Sequence, residues 1–252
     1  MSSNRAKIEP GAKLHKADFT DANLKNADLS GVDLSGASLH NANLEGANLC
    51  CANLQGAYIF SANLKRTNLS GADLSSAVLS YSNLQESLLE RTNFFQAILY
   101  GTKLIKVSLG TAMLKEADLQ QAVFTGSDFI GANLIGANLG GVNLNGANLR
   151  NALLIDANLH NANLSDASLR GSDLSNAHLN RANLTRASLQ NANLIGADLT
   201  EANLTDTFLL WANLRNAKLV NANLARTQFN RATMPDGSLW DDRIYPHGSG
   251  HE

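Results

Sequence analysis

Histidine, aspartate and cysteine are the side chains of this sequence that could support metal binding or redox chemistry. His160 and His178 lie 18 residues apart, and Asp198 follows His178 by 20 residues. Two imidazoles and a carboxylate can hold a metal ion when they converge in space. We interpret these three residues as solvated surface groups, because nothing around them predicts a pocket in which they would meet.

Cys50 and Cys51 are the two cysteines of the chain, and they are adjacent. Adjacent cysteines cannot connect distant segments, so the sequence offers no disulfide framework. The pair is either two incidental surface thiols, the interpretation that we favour, or a redox pair. Because residues 1–7 lack the apolar segment of a secretory signal, we expect a protein of the reducing cytoplasm.

Bulk composition argues against several classes of function. The 252 residues include 22 acidic and 20 basic side chains, a balance that gives a nucleic acid no global field to follow. No apolar stretch approaches the 18 residues of a membrane-spanning helix. The sequence also lacks a phosphate-binding loop, a zinc-ligand spacing and a nucleophile triad signature. We therefore expect no enzyme, no cofactor, no metal, no membrane association and little basis for nucleic-acid binding.

A period of five residues organises almost the whole chain. From Leu14 to Phe229 every fifth residue is large and apolar, with 38 leucines, five phenylalanines and one isoleucine at 44 positions. Two places earlier stands alanine in 32 cases, and serine, threonine or valine in the others. Asn or Asp lies between them in 27 cases, as at Asp18, Asp28 and Asp33. We interpret these carboxylates as groups that bond to nearby backbone rather than as acid–base pairs.

This period matches neither the 3.6 residues of a helical turn nor the 2.0 of a flat strand. Two inward residues two places apart, followed by a gap of three, indicate a short extended segment and then a bend. A chain that bends every five residues closes into a coil, and stacked coils pair their backbones about 4.8 Å apart. Glycine occupies the last position of the unit 13 times, where a turn with positive φ favours it.

The A(N/D)LXX unit repeats without insertion from Ala12 to Arg231 and resembles the repeat of the pentapeptide-repeat family. The resemblance covers about 220 of the 252 residues. It implies an all-β fold, a right-handed quadrilateral parallel β-helix of about eleven 20-residue coils. We expect an N-terminal cap segment over 1–11, the β-helix over 12–231 and a C-terminal cap or tail over 232–252. The Met-Pro-Asp-Gly segment of this tail is similar to the tails of cyanobacterial members.

Residues 20 apart should stack in such a helix. The expected charge column alternates in sign and consists of Asp166, Arg186, Asp206 and Arg226, with Arg66, Glu86 and Lys106 earlier in the chain. Exposed ion pairs of this kind contribute only about 0–1 kcal/mol each. We interpret the column as a solvated ladder that keeps the coils in register.

The repeat is least regular between residues 58 and 113, where we expect a slightly wider or less regular tube. Tyr58, Val78 and Ile98 replace Asn or Asp at positions 20 apart and should form an apolar column. Contiguous apolar surface often marks an interface, although the side chains could instead pack on one another across coils. The candidate partner-binding residues are Tyr58, Phe60, Val78, Tyr81, Phe95, Ile98, Tyr100 and Ile105.

A second apolar cluster lies near the C-terminal end and comprises Phe208, Leu210 and Trp211. Trp240 and Tyr245 in the tail can fold back onto it as a lid. Alternatively, the cluster can form a dimer contact, which some family members make through their C-terminal coils. We accordingly expect a monomer or a homodimer through the C-terminal end.

The sequence thus predicts a non-enzymatic β-helical solenoid that serves as a protein-interaction or scaffold module, with a regulatory role as one option. The resemblance implies a more specific alternative, a DNA-mimicking modulator of a type II topoisomerase. Family members of that kind carry an acidic rod surface, whereas acids and bases alternate here. The resemblance to cyanobacterial members also implies binding to regulators of heterocyst differentiation as an option. The partner protein is not identified by the sequence.

Overall fold

The computed structural model describes residues 8–9 and 11–240, which form a four-sided tube. These residues contain neither a helix nor a strand longer than a single bridge residue. Parallel bridges occur at every fifth residue and join residues 20 apart, from Lys13–Asp33 to Asn213–Thr233. Residues 12–231 therefore make eleven coils of 20 residues, numbered here in chain order, and the stack is roughly 50 Å long at the strand spacing. The predicted coil length is confirmed.

Each unit of five residues is one short extended segment followed by one turn. The amide of Leu34 donates to the carbonyl of Asn53 in the next coil (2.7 Å), and the amide of Gly36 donates to the carbonyl of Gln55 (2.8 Å). The amide of Ala37 closes the turn by donating to the carbonyl of Leu34 (3.0 Å). The same pattern recurs along the tube, so that four turns per coil produce four faces and four corners.

The third residue of each turn has a left-handed backbone. φ is positive at every fifth position from Gly11 to Arg231, 45 positions of which 14 are glycine. A hydrogen bond across four residues with positive φ only at the third is a type II turn. The predicted match between glycine and these turns is confirmed, and 31 other residues hold the same conformation.

The core fills the axis of the tube. The large apolar residue of every unit from Leu29 to Leu214 is fully buried, and so is every wall alanine from Ala37 to Ala212. Leu14 in the first coil and Leu224 in the last are only partly buried, because no further coil covers them. The inward positions predicted from the period are confirmed.

Wall hydroxyls are hydrogen-bonded inside the tube. Thr92 Oγ1, for example, donates to the carbonyl of Leu69, 23 residues earlier (2.9 Å). The bonds between coils lengthen nearby, reaching 3.4 Å from the amide of Arg91 to the carbonyl of Gly110. The irregularity expected between residues 58 and 113 is thus present as longer hydrogen bonds, and it extends into the sixth coil, where the amide of Gln121 lies 3.3 Å from the carbonyl of Gly140.

The two ends of the described chain lie against the core. Ile8, in the expected N-terminal cap segment, is partly buried on the first coil. At the other end, the amide of Gly237 donates to the carbonyl of Met234 (2.9 Å), so that the Met-Pro-Asp-Gly segment forms a turn. Thr233 then pairs with Leu239 in an antiparallel bridge. Over the described ranges, no helix has the length and apolar character required to cross a membrane.

Candidate functional site

An apolar column occupies one face of coils three to five. Bridges join Tyr58 to Val78 and Val78 to Ile98, and polar Ser38 and Asp118 continue the column on either side. Tyr58 is 58% exposed and Ile98 is 41% exposed. The predicted apolar column is therefore present, open to solvent and bounded by polar residues.

A row of aromatic rings runs along the corner that follows this column. The ring centroids of Phe60 and Tyr81 are 5.5 Å apart, and those of Tyr81 and Tyr100 are 5.6 Å apart, both in edge-on contact. His40 stacks on Phe60 at 5.3 Å with the two planes within 15°. The rings pack on one another, yet Tyr81 remains 55% exposed. Cross-coil packing and an open surface, which the sequence presented as alternatives, therefore occur together.

Gly101 makes room for this row. A Cβ atom placed on Gly101 would lie 2.9 Å from the ring of Tyr81, closer than real contacts of this kind. The absent side chain lets the Tyr81 ring lie over the next coil and touch Tyr100. We call the combined surface of column and row the aromatic face, and it consists of Tyr58, Phe60, Val78, Tyr81, Ile98 and Tyr100.

Two further candidates lie at different distances from the aromatic face. Phe95 is exposed at the corner that precedes Ile98 in the same coil, so it borders the face. Ile105 occupies the corner after Lys103, one full side of the tube beyond Tyr100. Phe95 thus lies beside the aromatic face without being one of its six residues, and Ile105 lies apart from it.

His40 belongs to the aromatic row, although the sequence pattern of irregular units does not include it. It stands 20 residues before Phe60, and this spacing is the signal that could have identified it. Other apolar side chains are also exposed on the tube without joining the aromatic face: Leu88, Met113, Ile130, Leu153 and Val220.

The C-terminal cluster is only partly open. Phe208 and Leu210 are half-buried, and Trp211 is 53% exposed. Trp240 packs its ring against Phe229, a core residue of the last coil, with 4.8 Å between the centroids. Trp240 therefore covers the end of the core. Tyr245 lies outside the described residues, and the dimer contact stays a prediction.

The histidines and acids do not assemble into a metal site. His178 is bridged to Asp198 as expected, but His160 lies at a corner, where its ring nitrogens contact the side-chain amides of Asn161 (2.8 Å) and Asn180 (2.5 Å). Across residues 8–9 and 11–240, no group of three or more His, Cys, Asp or Glu side chains is placed to hold a metal ion.

The charge column forms as predicted in the C-terminal half. The guanidinium of Arg186 donates two hydrogen bonds to Asp166 (2.7 and 2.8 Å), and Arg226 does the same to Asp206 (2.6 and 2.7 Å). These hydrogen bonds lower the pKa of both carboxyl groups.

The N-terminal part of the column is arranged differently. Arg66 forms an ion pair with Glu45, which lies at the same corner in the preceding coil. Glu45 also accepts a hydrogen bond from Lys25 (3.0 Å). The hydrogen bond from Lys25 is the largest cause that lowers the pKa of Glu45. The ion pairs thus neutralise acids along the tube.

Comparison with known proteins identifies the class of this chain. Segments from residue 11 to residue 239 match the family model described as Pentapeptide repeats, with 8 copies. The chain belongs to the pentapeptide-repeat family, and its fold is the right-handed quadrilateral β-helix of that family. Proteins of this family are generally non-catalytic structural or interaction modules.

Solved structures of other members are similar to this chain. HetL, a protein involved in heterocyst differentiation regulation in the cyanobacterium Nostoc sp. strain PCC 7120, is 32% identical over 94% of both chains, with a TM-score of 0.48. A pentapeptide repeat protein of the Arabidopsis thaliana thylakoid lumen is 35% identical over 37% of this chain and 68% of its own (TM-score 0.32).

QnrB1, a plasmid-mediated fluoroquinolone resistance protein, is more distant in sequence. A trypsin-treated form of it is 19% identical over 81% of this chain and 99% of its own, with a TM-score of 0.47. Among curated protein sequences, none matches this chain.

Proposed function

We propose that this chain is a non-catalytic interaction module that binds a protein partner through the aromatic face. The observation that carries the proposal is a contiguous set of aromatic and aliphatic side chains across three coils, of which Tyr58, Tyr81 and Ile98 are well exposed. Protein interfaces commonly have an apolar centre rich in Tyr and Phe and a polar rim. Ser38 and Asp118 provide such a rim at the two ends of the column.

The aromatic face is also preorganised. Edge-on contacts hold the rings of Phe60, Tyr81 and Tyr100, and the backbone beneath them is bonded to the coils on both sides. Side chains that are already ordered lose little conformational entropy on binding. The face therefore suits a partner segment that presents a few large apolar side chains in a fixed arrangement.

The similarity to HetL supports a regulatory role for such a contact. HetL is named as a protein involved in heterocyst differentiation regulation, and it resembles this chain over almost its full length. A role in that process remains a hypothesis for this chain. A cytoplasmic location is likewise a hypothesis for this chain.

The DNA-mimicking modulator of a type II topoisomerase has no specific support from the geometry. Arg186 and Arg226 neutralise Asp166 and Asp206 on the surface, so this side of the tube does not present a run of negative charge.

The proposal is tested by replacing the column with the residue that the repeat prefers. The triple variant Tyr58→Asn, Val78→Asn, Ile98→Asn should fold, because Asn138 and Asn158 occupy the same column in later coils. The matched control Met113→Asn, Leu153→Asn removes exposed apolar groups from another face. Cross-linking in a lysate of the source cell, read by quantitative mass spectrometry, should recover at least about tenfold less partner with the triple variant. Equal recovery from all three proteins would contradict the proposal.

A further inference from the structure

Cys50 and Cys51 form an open dithiol at the corner that ends the second coil. Both are free thiols; Cys50 is half-buried and Cys51 is exposed. Their Sγ atoms are 3.4 Å apart, so both sulfurs lie at one point of the surface. This proximity is not a consequence of adjacency alone, because neighbouring side chains in an extended segment point in opposite directions.

The backbone keeps the two sulfurs together. The carbonyl of Cys50 accepts from the amide of Gly31 in the preceding coil (2.9 Å), and the amide of Cys51 donates to the carbonyl of Ser70 in the following coil (3.0 Å). The peptide bond between the cysteines is therefore held from both sides. Cys51 also has the left-handed conformation of the turn, with φ of 58°.

The neighbouring coils leave space around the pair. Ser30–Gly31 and Ser70–Gly71 occupy the equivalent corner positions in the coils before and after. A Cβ on Gly31 would meet nothing within 4 Å, and a Cβ on Gly71 would lie 3.5 Å from the sulfur of Cys51. A small molecule can therefore reach both thiols from solvent along this corner.

A disulfide between the two cysteines does not suit this geometry. Consecutive Cα atoms are about 3.8 Å apart, whereas disulfides usually need about 4.4–6.8 Å. Closing the bond would twist a peptide that is bonded to both neighbouring coils. The pKa of the Cys50 thiol is raised, first by its hydrogen bond to Cys51 and then by burial, which lowers the fraction of thiolate available for disulfide exchange.

We propose that Cys50 and Cys51 are a chelating site for a thiophilic trivalent metalloid of the arsenous acid type. Soft sulfur ligands select soft elements of this kind. Each thiol replaces one hydroxyl group on the metalloid: a sulfur–metalloid bond forms, a metalloid–oxygen bond breaks, and the thiol proton leaves with the hydroxide as water. Two thiols release two waters, no electrons are transferred, and the third substituent of the metalloid remains in solvent.

Phenylarsine oxide is a suitable probe for the full-length, reduced chain. Intact mass spectrometry should show one arsenical bound per chain with the loss of one water. With glutathione as a competing monothiol, the single variants Cys50→Ser and Cys51→Ser should bind at least about 10²-fold more weakly, because one ligand arm no longer raises the effective concentration of the other. Serine already occupies equivalent positions at Ser30, Ser70 and Ser76, so both variants should fold.

Two results would overturn this site. One is retention of the arsenical by either single variant as strongly as by the native chain. The other is conversion of the pair to a disulfide by oxidised glutathione under conditions in which the reduced chain takes up no arsenical; this result would assign the pair to redox chemistry. Circular dichroism spectra that match the native chain establish that the variants have kept the fold.

Discussion

Between Lys16 and Arg231, thirty-one residues other than glycine have a left-handed backbone, a conformation that most residues avoid. The left-handed conformation costs about 1–2 kcal/mol for a residue with a Cβ atom. Before the last coil, these residues recover part of that cost through their amides, as when Lys16 donates to the carbonyl of Ser35 in the next coil (2.9 Å). Asn and Asp account for 12 of the 31, which fits their tolerance of this region. A β-branched residue there is the least favourable choice.

Thr111 is such a residue, with φ of 58° and an exposed side chain. Replacing it by glycine should stabilise the tube by about 0.5–1 kcal/mol, because the relief of strain exceeds the added chain entropy. The amide of residue 111 keeps its bond to the carbonyl of Ile130 (3.2 Å). The midpoint of urea unfolding measures the change.

Thr125→Gly is the matched control for this substitution, because Thr125 stands at a turn position without positive φ. There glycine should destabilise the protein by about 0.5–1 kcal/mol. Equal losses in the two variants would show that the left-handed turns carry no strain.

At the scale of the coil, the hydrogen bonds of the asparagine side chains explain why this residue is so abundant. The side-chain amide of Asn163 donates to Asn143 Oδ1 in the preceding coil (3.3 Å), and that of Asn183 donates to Asn163 Oδ1 (3.3 Å). Asn163 Oδ1 also accepts from the amide of Ser165, two residues onward (3.2 Å). One side chain thus links neighbouring coils and fixes the following turn, which a hydroxyl or an aliphatic group at that position cannot do.

The arginine–aspartate pairs of the charge column should make stability depend on pH. Arginine hydrogen bonds lower the pKa of Asp166 and Asp206 from the ordinary value of 3.8. A carboxyl group whose pKa is lower in the folded state contributes stability above its unfolded pKa and loses it as pH falls through the folded value. The melting temperature should therefore begin to drop near about pH 5 and continue to drop below pH 3.8, and it should drop less in the variant Asp166→Asn, Asp206→Asn.

High salt provides the control for this experiment. In about 1 M NaCl the Debye length is only about 3 Å, so the native chain and the double variant should show a smaller difference in their pH profiles. Identical acid profiles of the two proteins at low salt would mean that these pairs do not couple protonation to folding.

Much of this architecture follows from the sequence, because a strict period determines which residues of neighbouring coils stack on each other. The spacing of Tyr58, Val78 and Ile98 was sufficient to predict their column. Side chains that are long or lie off the period were not predictable in the same way. Arg66 reaches Glu45, and Trp240 reaches Phe229, because a flexible side chain and a tail without the repeat are not constrained by the 20-residue register.

At the scale of the whole molecule, the tube has two ends where the stacking stops. Solenoids need terminal segments that shield the last repeat, since an open coil exposes apolar core and unpaired backbone. Here Ile8 lies on the first coil and Trp240 covers Phe229 in the last. We therefore expect association between copies to increase when an end loses its cover.

Deleting residues 232–252 should promote self-association. Without Trp240, Phe229 and the partly buried Leu224 of the last coil become accessible to a second chain. Light scattering should report dimers or larger species whose fraction grows with protein concentration. Substituting Trp240→Ala in the full chain separates the loss of this ring from the loss of the tail. A deletion variant that remains monomeric at high concentration would refute a shielding role.

The unbroken 20-residue register also constrains how this chain can change in length. A gain or loss of 20 residues shifts everything downstream along the axis by one coil, about 4.8 Å, without rotation. A gain of five residues instead turns the whole downstream part by a quarter revolution about the axis. The number of inserted residues therefore sets both the distance and the angle between two surface features, such as the dithiol and the aromatic face. Each of the two changes in fixed steps. Inserting a whole coil lengthens the tube, whereas inserting a single unit of five residues rotates the downstream part relative to the upstream part.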